Sequence, residues 1–371
     1  MKKIKKIMWF MLLIVTLCVG YTLSVDASDM SDDYDFDEID ELISNESDGE
    51  YSFSEIVDGI CEGENGIISN TADMIWKSVT NEVSNNKEMI VRTILIAISM
   101  SILSNILSVF DNKDYSKTSY YIVYLLLMVT LISAFKEIVG IAGGMLEKIV
   151  TFMECLVPSF FLAVGVSDGA ATSTGLCTIT LGTITALEML TEKIILPLIS
   201  VYVIVSLISY ISKENKLTKL GENIYNFVGW SVKTMIGIVM GLNIIEGMIL
   251  PSIDEAKSKG IVKVASAIPG VGNSVSGVAT LAVSSAEVIK NSIGAAAVVA
   301  LVVIVMVPII RLLILMAMYR IVEMIIEPIS DKSVVGAIDV VYKGTTLLYK
   351  VCLGAVIMFG ATIAIVCLFT R

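Results

Sequence analysis

Histidine is absent from this 371-residue chain. That absence removes the commonest general base and the commonest metal ligand from any catalytic scheme. Charge is also scarce. Only 17% of residues are charged and 55% are hydrophobic, where a soluble domain carries about 25% charged residues. A soluble fold has no way to hide so much apolar surface, so a soluble enzyme is excluded. Proline occurs six times, always within the apolar part of the chain. The six cysteines include no CxxC pair. Cys18 lies in the leader-like segment, Cys61 stands alone, and Cys155, Cys177, Cys352 and Cys367 fall in apolar runs, where cysteine acts as a small hydrophobe. Neither a disulfide framework nor a zinc site follows, and no Gly-x-Ser-x-Gly, His-Glu-x-x-His or Walker pattern is present. We expect no catalytic residue, no cofactor and no metal. With a net charge of −11, nothing points to nucleic acid.

What is present begins with a targeting pattern. Met1-Lys2-Lys3-Ile4-Lys5-Lys6 is a basic start, and residues 7–20 form a short apolar core. Val25 and Ala27 then occupy the −3 and −1 positions of a small-residue cleavage site. Residues 1–27 therefore read as a signal peptide, the alternative being an uncleaved first anchor. Residues 28–88 are the aqueous piece, with 18 acidic residues against Lys77 and Lys87. Their densest block, from Asp32 to Glu41, is expected to repel itself and stay extended or loosely ordered, as a solvated, exported tether. It lacks the glycine and the closing glutamate of a calcium loop. Residues 51–83 are less acidic and suit one or two amphipathic helices at the membrane surface.

From residue 89 on, apolar runs approach the roughly 20 residues that cross a bilayer as a helix. The expected fold class is an all-α polytopic membrane protein. Seven or eight spans are expected, near residues 89–110, 120–135, 149–166, 170–190, 194–211, 226–250, 292–318 and 345–369. With residues 28–88 outside, the loops at 111–119 and 212–223 lie inside, and their lysines obey the positive-inside rule. The stretch 252–291 then falls outside, yet it carries Lys257, Lys259, Lys263 and Lys290. It is rich in small residues and broken at Ile268-Pro269-Gly270-Val271-Gly272-Asn273. Residues 259–294 therefore read as a hairpin, either re-entrant or lying on the surface as an amphipathic pair.

These residues carry a resemblance. Lys259-Gly260-Ile261-Val262-Lys263-Val264-Ala265-Ser266-Ala267-Ile268-Pro269-Gly270-Val271-Gly272 resembles a motif of the stage III sporulation protein AE family, with Gly270 where a β-branched residue is expected. Lys290-Asn291-x-x-Gly294, Pro308 and Glu327-Pro328 follow in the family's order. The resemblance implies a membrane subunit of a transenvelope channel or secretion-like complex. That complex sits in the mother-cell membrane around the engulfed forespore and sustains late forespore development. Its implied partners are the other membrane subunits and a forespore-side protein.

Beside the resemblance, the residues themselves leave alternatives. Broken helices and buried charges also suit a self-sufficient secondary transporter, and an intramembrane enzyme ranks third. Gly140-Ile141-Ala142-Gly143-Gly144 and Gly237-Ile238-Val239-Met240-Gly241 allow close helix approach, within the bundle or in a homo-oligomer. Among ionisable residues in or near spans (Glu154, Glu188, Lys233, Glu246, Arg311 and Lys350), Arg311 is the strongest candidate, three residues past Pro308. Glu188 and Lys350 are expected near helix ends.

Overall fold

The computed structural model describes residues 36–46, 52–54, 56–57, five positions from 91 to 102, and 113–168, 170–212, 215–265 and 272–369. Side chains at 42, 45–46, 113–119, 166–172, 211–216, 246–289 and 368–369 are not among those described. The expected signal peptide, and Pro269 and Gly270, lie outside the described residues.

Every regular element described is helical. A short helix, α1 (Asp37–Glu46), precedes α2 (Lys113–Asp168) and α3 (Ala170–Leu190). A π-helical turn, Thr191–Ile195, joins α3 to α4 (Leu196–Ser212). Then come α5 (Asn215–Ala265), α6 (Gly272–Ile326) and α7 (Lys332–Phe369). Among the described residues, five stretches are long and apolar enough to cross a membrane: Tyr120–Gly165, Ser173–Tyr210, Leu217–Ile245, Lys290–Ile326 and Lys332–Cys367.

The helices are longer than the sequence reading anticipates. Residues 120–135 and 149–166, expected as separate spans, belong to one 56-residue helix. Lys136, Glu137, Glu147 and Lys148 interrupt the apolar run, but all four are good helix formers, so the backbone continues through them. At about 1.5 Å per residue, α2 is about 84 Å long, well beyond a roughly 30 Å hydrocarbon core. Residues 170–190 and 194–211 likewise join. Pro197 cannot donate to the carbonyl of Lys193, and the N–H of Leu196 reaches back to the carbonyl of Thr191, so the helix widens by one residue rather than stopping. The loop expected at 111–119 is helical from Lys113, and the loop expected at 212–223 is helical from Asn215. On the two sides of Pro269, α5 runs to Ala265 and α6 opens at Gly272, so the expected arms of the hairpin are extensions of long helices rather than short helices of their own.

The bundle runs up and down around α7. This helix packs against α2, α4, α5 and α6, and 72% of its most apolar window is buried against 33–50% in the other four stretches. Glycines let it approach its neighbours. A Cβ on Gly344 would stand 2.6 Å from Val203 Cγ2 and 2.8 Å from Phe135 Cε2, and one on Gly336 would overlap the ring of Tyr210. Polar bonds inside the apolar bundle set register. Asn243 Nδ2 donates to Thr362 Oγ1 at 2.7 Å, and Tyr124 Oη donates to the carbonyl of Leu207 at 3.1 Å. Such bonds hold geometry well where water does not compete.

The described end of the acidic block is helical rather than extended. Residues Asp37–Glu46 form α1, which packs against α2 and α6. Phe36, Ile39 and Ile43, spaced three and four apart, turn one buried face to the bundle, while Asp37, Glu38 and Glu41 stay exposed. Phe53, Ile56 and Val57 are buried with them, and Phe36 meets Phe53 edge to face. Burial of six apolar side chains outweighs repulsion among solvated carboxylates. Asp40 ties the two pieces together by accepting from the N–H of Ser54 at 2.9 Å and its hydroxyl at 2.6 Å. Asp40→Ala should remove about 1.5–3 kcal/mol of this docking. Limited proteolysis should then cleave between residues 36 and 57 faster than in the natural chain, with the body of the bundle still resistant.

Candidate functional site

Three contacts tie the helices to a common height. The thiol of Cys352 on α7 donates to the carbonyl of Ala142 on α2 at 3.9 Å. A Cβ on Gly354 would lie 3.0 Å from Val232 Cγ1 on α5 and 3.4 Å from Ile236 Cδ1. A Cβ on Gly143 would lie 3.7 Å from Leu196 Cδ1 on α4. On α6, Leu301 faces Gly360 and Arg320 stacks over the ring of Tyr342, 5.3 Å from its centroid. Arg311 lies midway between those two contacts and so reaches the same height.

Ionisable residues collect around this level. Lys136, Glu137 and Glu147 on α2, Glu192 and Lys193 on the π-helical turn, and Lys233 on α5 are exposed on the outside of the bundle. Arg311 is half-buried on α6, with its Nε buried. Lys350 on α7 is exposed and sits beside Tyr225, its Nζ 3.4 Å from the phenol oxygen and 5.4 Å from the ring centroid. Glu188 and Lys350 therefore stand far inside their continuous helical runs, not at helix ends, because those runs are longer than expected. Two departures from regular helix share the zone: Pro308, buried one turn before Arg311, and the π-helical turn. Proline at 308 leaves the carbonyl of Ile304 without its helical donor.

The structure does not bring the remaining sequence candidates together. Gly272 opens α6, and Lys290, Asn291 and Gly294 lie further along it. Lys290 is wholly buried, so this one of the four lysines that fit no outside loop belongs to the interior of the bundle. Gly294 is where α6 meets α2 and α7; a Cβ there would overlap the sulfur of Cys367 and touch Phe160 at 3.5 Å. Pro328 is exposed in the turn between α6 and α7. The carbonyl of Ile326 accepts from the N–H groups of Ile329 and Ser330 in that turn, and the carbonyl of Asp331 starts α7 by accepting from Val334 at 3.0 Å.

A second polar group escapes the sequence reading. Tyr124, Tyr202, Tyr210 and Tyr225 gather from α2, α4 and α5 beside the Asp339–Lys343 ion pair of α7, whose atoms are 2.7 Å apart. Only their clustering toward helix ends signals this in sequence. No group of histidine, cysteine and carboxylates able to hold a metal occurs among the described residues.

Comparison with known proteins follows the same lines. The family model for stage III sporulation protein AE matches residues 51–370. The stage III sporulation protein AE of Bacillus subtilis (strain 168) is 23% identical over 295 residues, covering 79% of this chain and 73% of the relative. No solved structure matches. The matched stretch begins beyond α1 and takes in all the long helices, and on that extent the chain belongs to the stage III sporulation protein AE family.

Proposed function

We propose that the chain is a membrane subunit of a multiprotein transenvelope channel or secretion-like complex between mother cell and forespore. Its seat is the mother-cell membrane around the engulfed forespore. Family membership supports a sporulation role. The observation that favours a subunit over a self-sufficient transporter is the direction of the mid-bundle charges. A transporter working alone keeps intramembrane charges on an internal cavity. Here Lys136, Glu137, Glu147, Glu192, Lys193 and Lys233 face outward. At membrane depth each costs about 2.5–3.5 kcal/mol if left in lipid, so neighbouring protein is the natural cover. Affinity purification from sporulating cells in mild detergent should recover other membrane subunits with this chain. Recovery of the chain alone, under conditions that preserve other membrane complexes, would favour the transporter.

The orientation proposed places residues 28–88 and the α5–α6 connection outside the cytoplasm. The start of α2, the α4–α5 connection and the α6–α7 turn lie inside. Lys113, Lys117, Lys213, Lys216, Lys219 and Lys332 all belong to that inner end, in line with the positive-inside rule, while Lys257, Lys259 and Lys263 at the outer end run against it. In a cysteine-replaced background, Lys216→Cys should resist an impermeant thiol reagent in intact cells and react after permeabilisation. Labelling in intact cells would reverse the orientation.

A further inference from the structure

The two small-residue motifs of the chain each turn an open glycine face away from the bundle. A Cβ on Gly140 or Gly144 of α2 would meet nothing within 4 Å, and the same holds for Gly229, Gly237 and Gly241 of α5. Ala142, by contrast, is the buried residue of the first motif. A glycine inside a helix costs about 0.5–1 kcal/mol relative to alanine. Five such positions therefore weaken α2 and α5 without a packing contact among the described residues.

Both glycine faces carry charge at the level defined above. Lys233 stands between Gly229 and Gly237, one turn from each, and Glu147 lies just beyond Gly144. Ala142 and Val232 are level through Cys352 and Gly354, so Lys233 and Glu147 differ in height by about one helical turn. A lysine side chain spans that distance. The helices run parallel, since residues 135 and 142 on α2 and residues 225, 232 and 243 on α5 climb in step with α7. Within one chain, α3, α4 and α7 separate α2 from α5.

We propose that α2 of one copy of this chain packs against α5 of the next, head to tail in the same membrane. Gly140 then meets Gly229 at close approach, and Gly144 lies beside Lys233, which pairs with Glu147 across the seam. Parallel helices presenting complementary faces on separate flanks give a heterologous contact, which closes into a ring when the rotation allows. Small residues permit the backbone approach, and an opposite charge removes the cost of an ion exposed to lipid. The proposal rests on the membrane reading of the chain but requires none of the other subunits.

The test uses the full chain expressed alone in membranes, with native cysteines replaced by alanine. Gly140→Cys combined with Gly229→Cys should give an oxidation ladder of dimers and larger species. Either substitution alone should give at most about a tenth of that product. Glu147→Lys or Lys233→Glu should lower the ladder about tenfold, and the two reversals together should restore it. In the chain with its natural cysteines, a photo-cross-linking residue at position 140 should attach to α5 of a differently tagged copy. Dimers from Gly140→Cys alone, attachment to α2 of the second copy or to another protein, or no ladder at normal membrane abundance would each overturn the head-to-tail seam. Co-purification of other sporulation subunits is a separate measurement, so this proposal and the channel-subunit reading fail independently.

Discussion

Alanine at Gly344 is expected to lower both the melting temperature of the purified protein and its level in the membrane, whereas alanine at Gly360 leaves both unchanged or raised. Two effects oppose each other at these positions. Replacing a helical glycine by alanine stabilises the helix by about 1 kcal/mol. Forcing a methyl group into a filled site costs about 1–3 kcal/mol. At Gly344 the new Cβ would stand 2.6 Å from Val203 Cγ2 and 2.8 Å from Phe135 Cε2. Those atoms belong to α4 and α2, and both residues are buried, so two packed helices have to part and the clash wins. At Gly360 the nearest atom is Leu301 Cδ2 at 3.7 Å, an ordinary contact, and propensity wins. Leucine separates the sites further: Gly344→Leu should abolish accumulation of the protein. Equal melting temperatures for Gly344→Ala and Gly360→Ala would mean that α7 is not the packed centre of the bundle.

The helical membrane class is legible in composition, because no soluble arrangement hides so many apolar side chains. Helix ends are not legible in the same way. Lys136, Glu137, Glu147 and Lys148 end an apolar run, but a charge breaks a hydropathy window without breaking a hydrogen-bonded helix. The fold of α1 is masked by the opposite error: Phe36, Ile39 and Ile43 keep helical spacing, but acidic neighbours dominate the local charge. Pro308 and Arg311 are visible in sequence because each is unusual in an apolar run. The shared level of Arg311, Glu147 and Lys233 is not visible. Height depends on register between helices distant in the chain, and only contacts such as Cys352 with Ala142 fix it. The same holds for the glycines. The sequence reveals Gly140, Gly144, Gly237 and Gly241, but only tertiary structure reveals that they face out while Gly336 and Gly344 face in.

Arg311→Leu is expected to lower spore yield at least a hundredfold at unchanged membrane abundance, while Arg320→Leu leaves yield within a few-fold of normal. The two arginines lie on the same helix and differ in setting. Arg320 is half exposed and pairs with Glu323 at 2.6 Å, one turn away. Exposed pairs of that kind contribute about 0–1 kcal/mol. Arg311 sits at the charged level, one turn past Pro308, with its Nε buried in protein. Holding a guanidinium there costs desolvation energy, which leucine avoids, although leucine is shorter and gives up the contacts that Arg311 makes. Membrane abundance is therefore read beside spore yield, and a lost phenotype at normal abundance would belong to the charge. Arg311→Lys adds a finer measure. It retains the charge but loses the planar, five-donor fork, so its spore yield should fall between those of the natural chain and Arg311→Leu. Abundance falling in proportion to yield would make Arg311 a structural residue. Full sporulation of Arg311→Leu would remove α6 from the functional part of the charged level and leave only the outward charges of α2, the π-helical turn and α5.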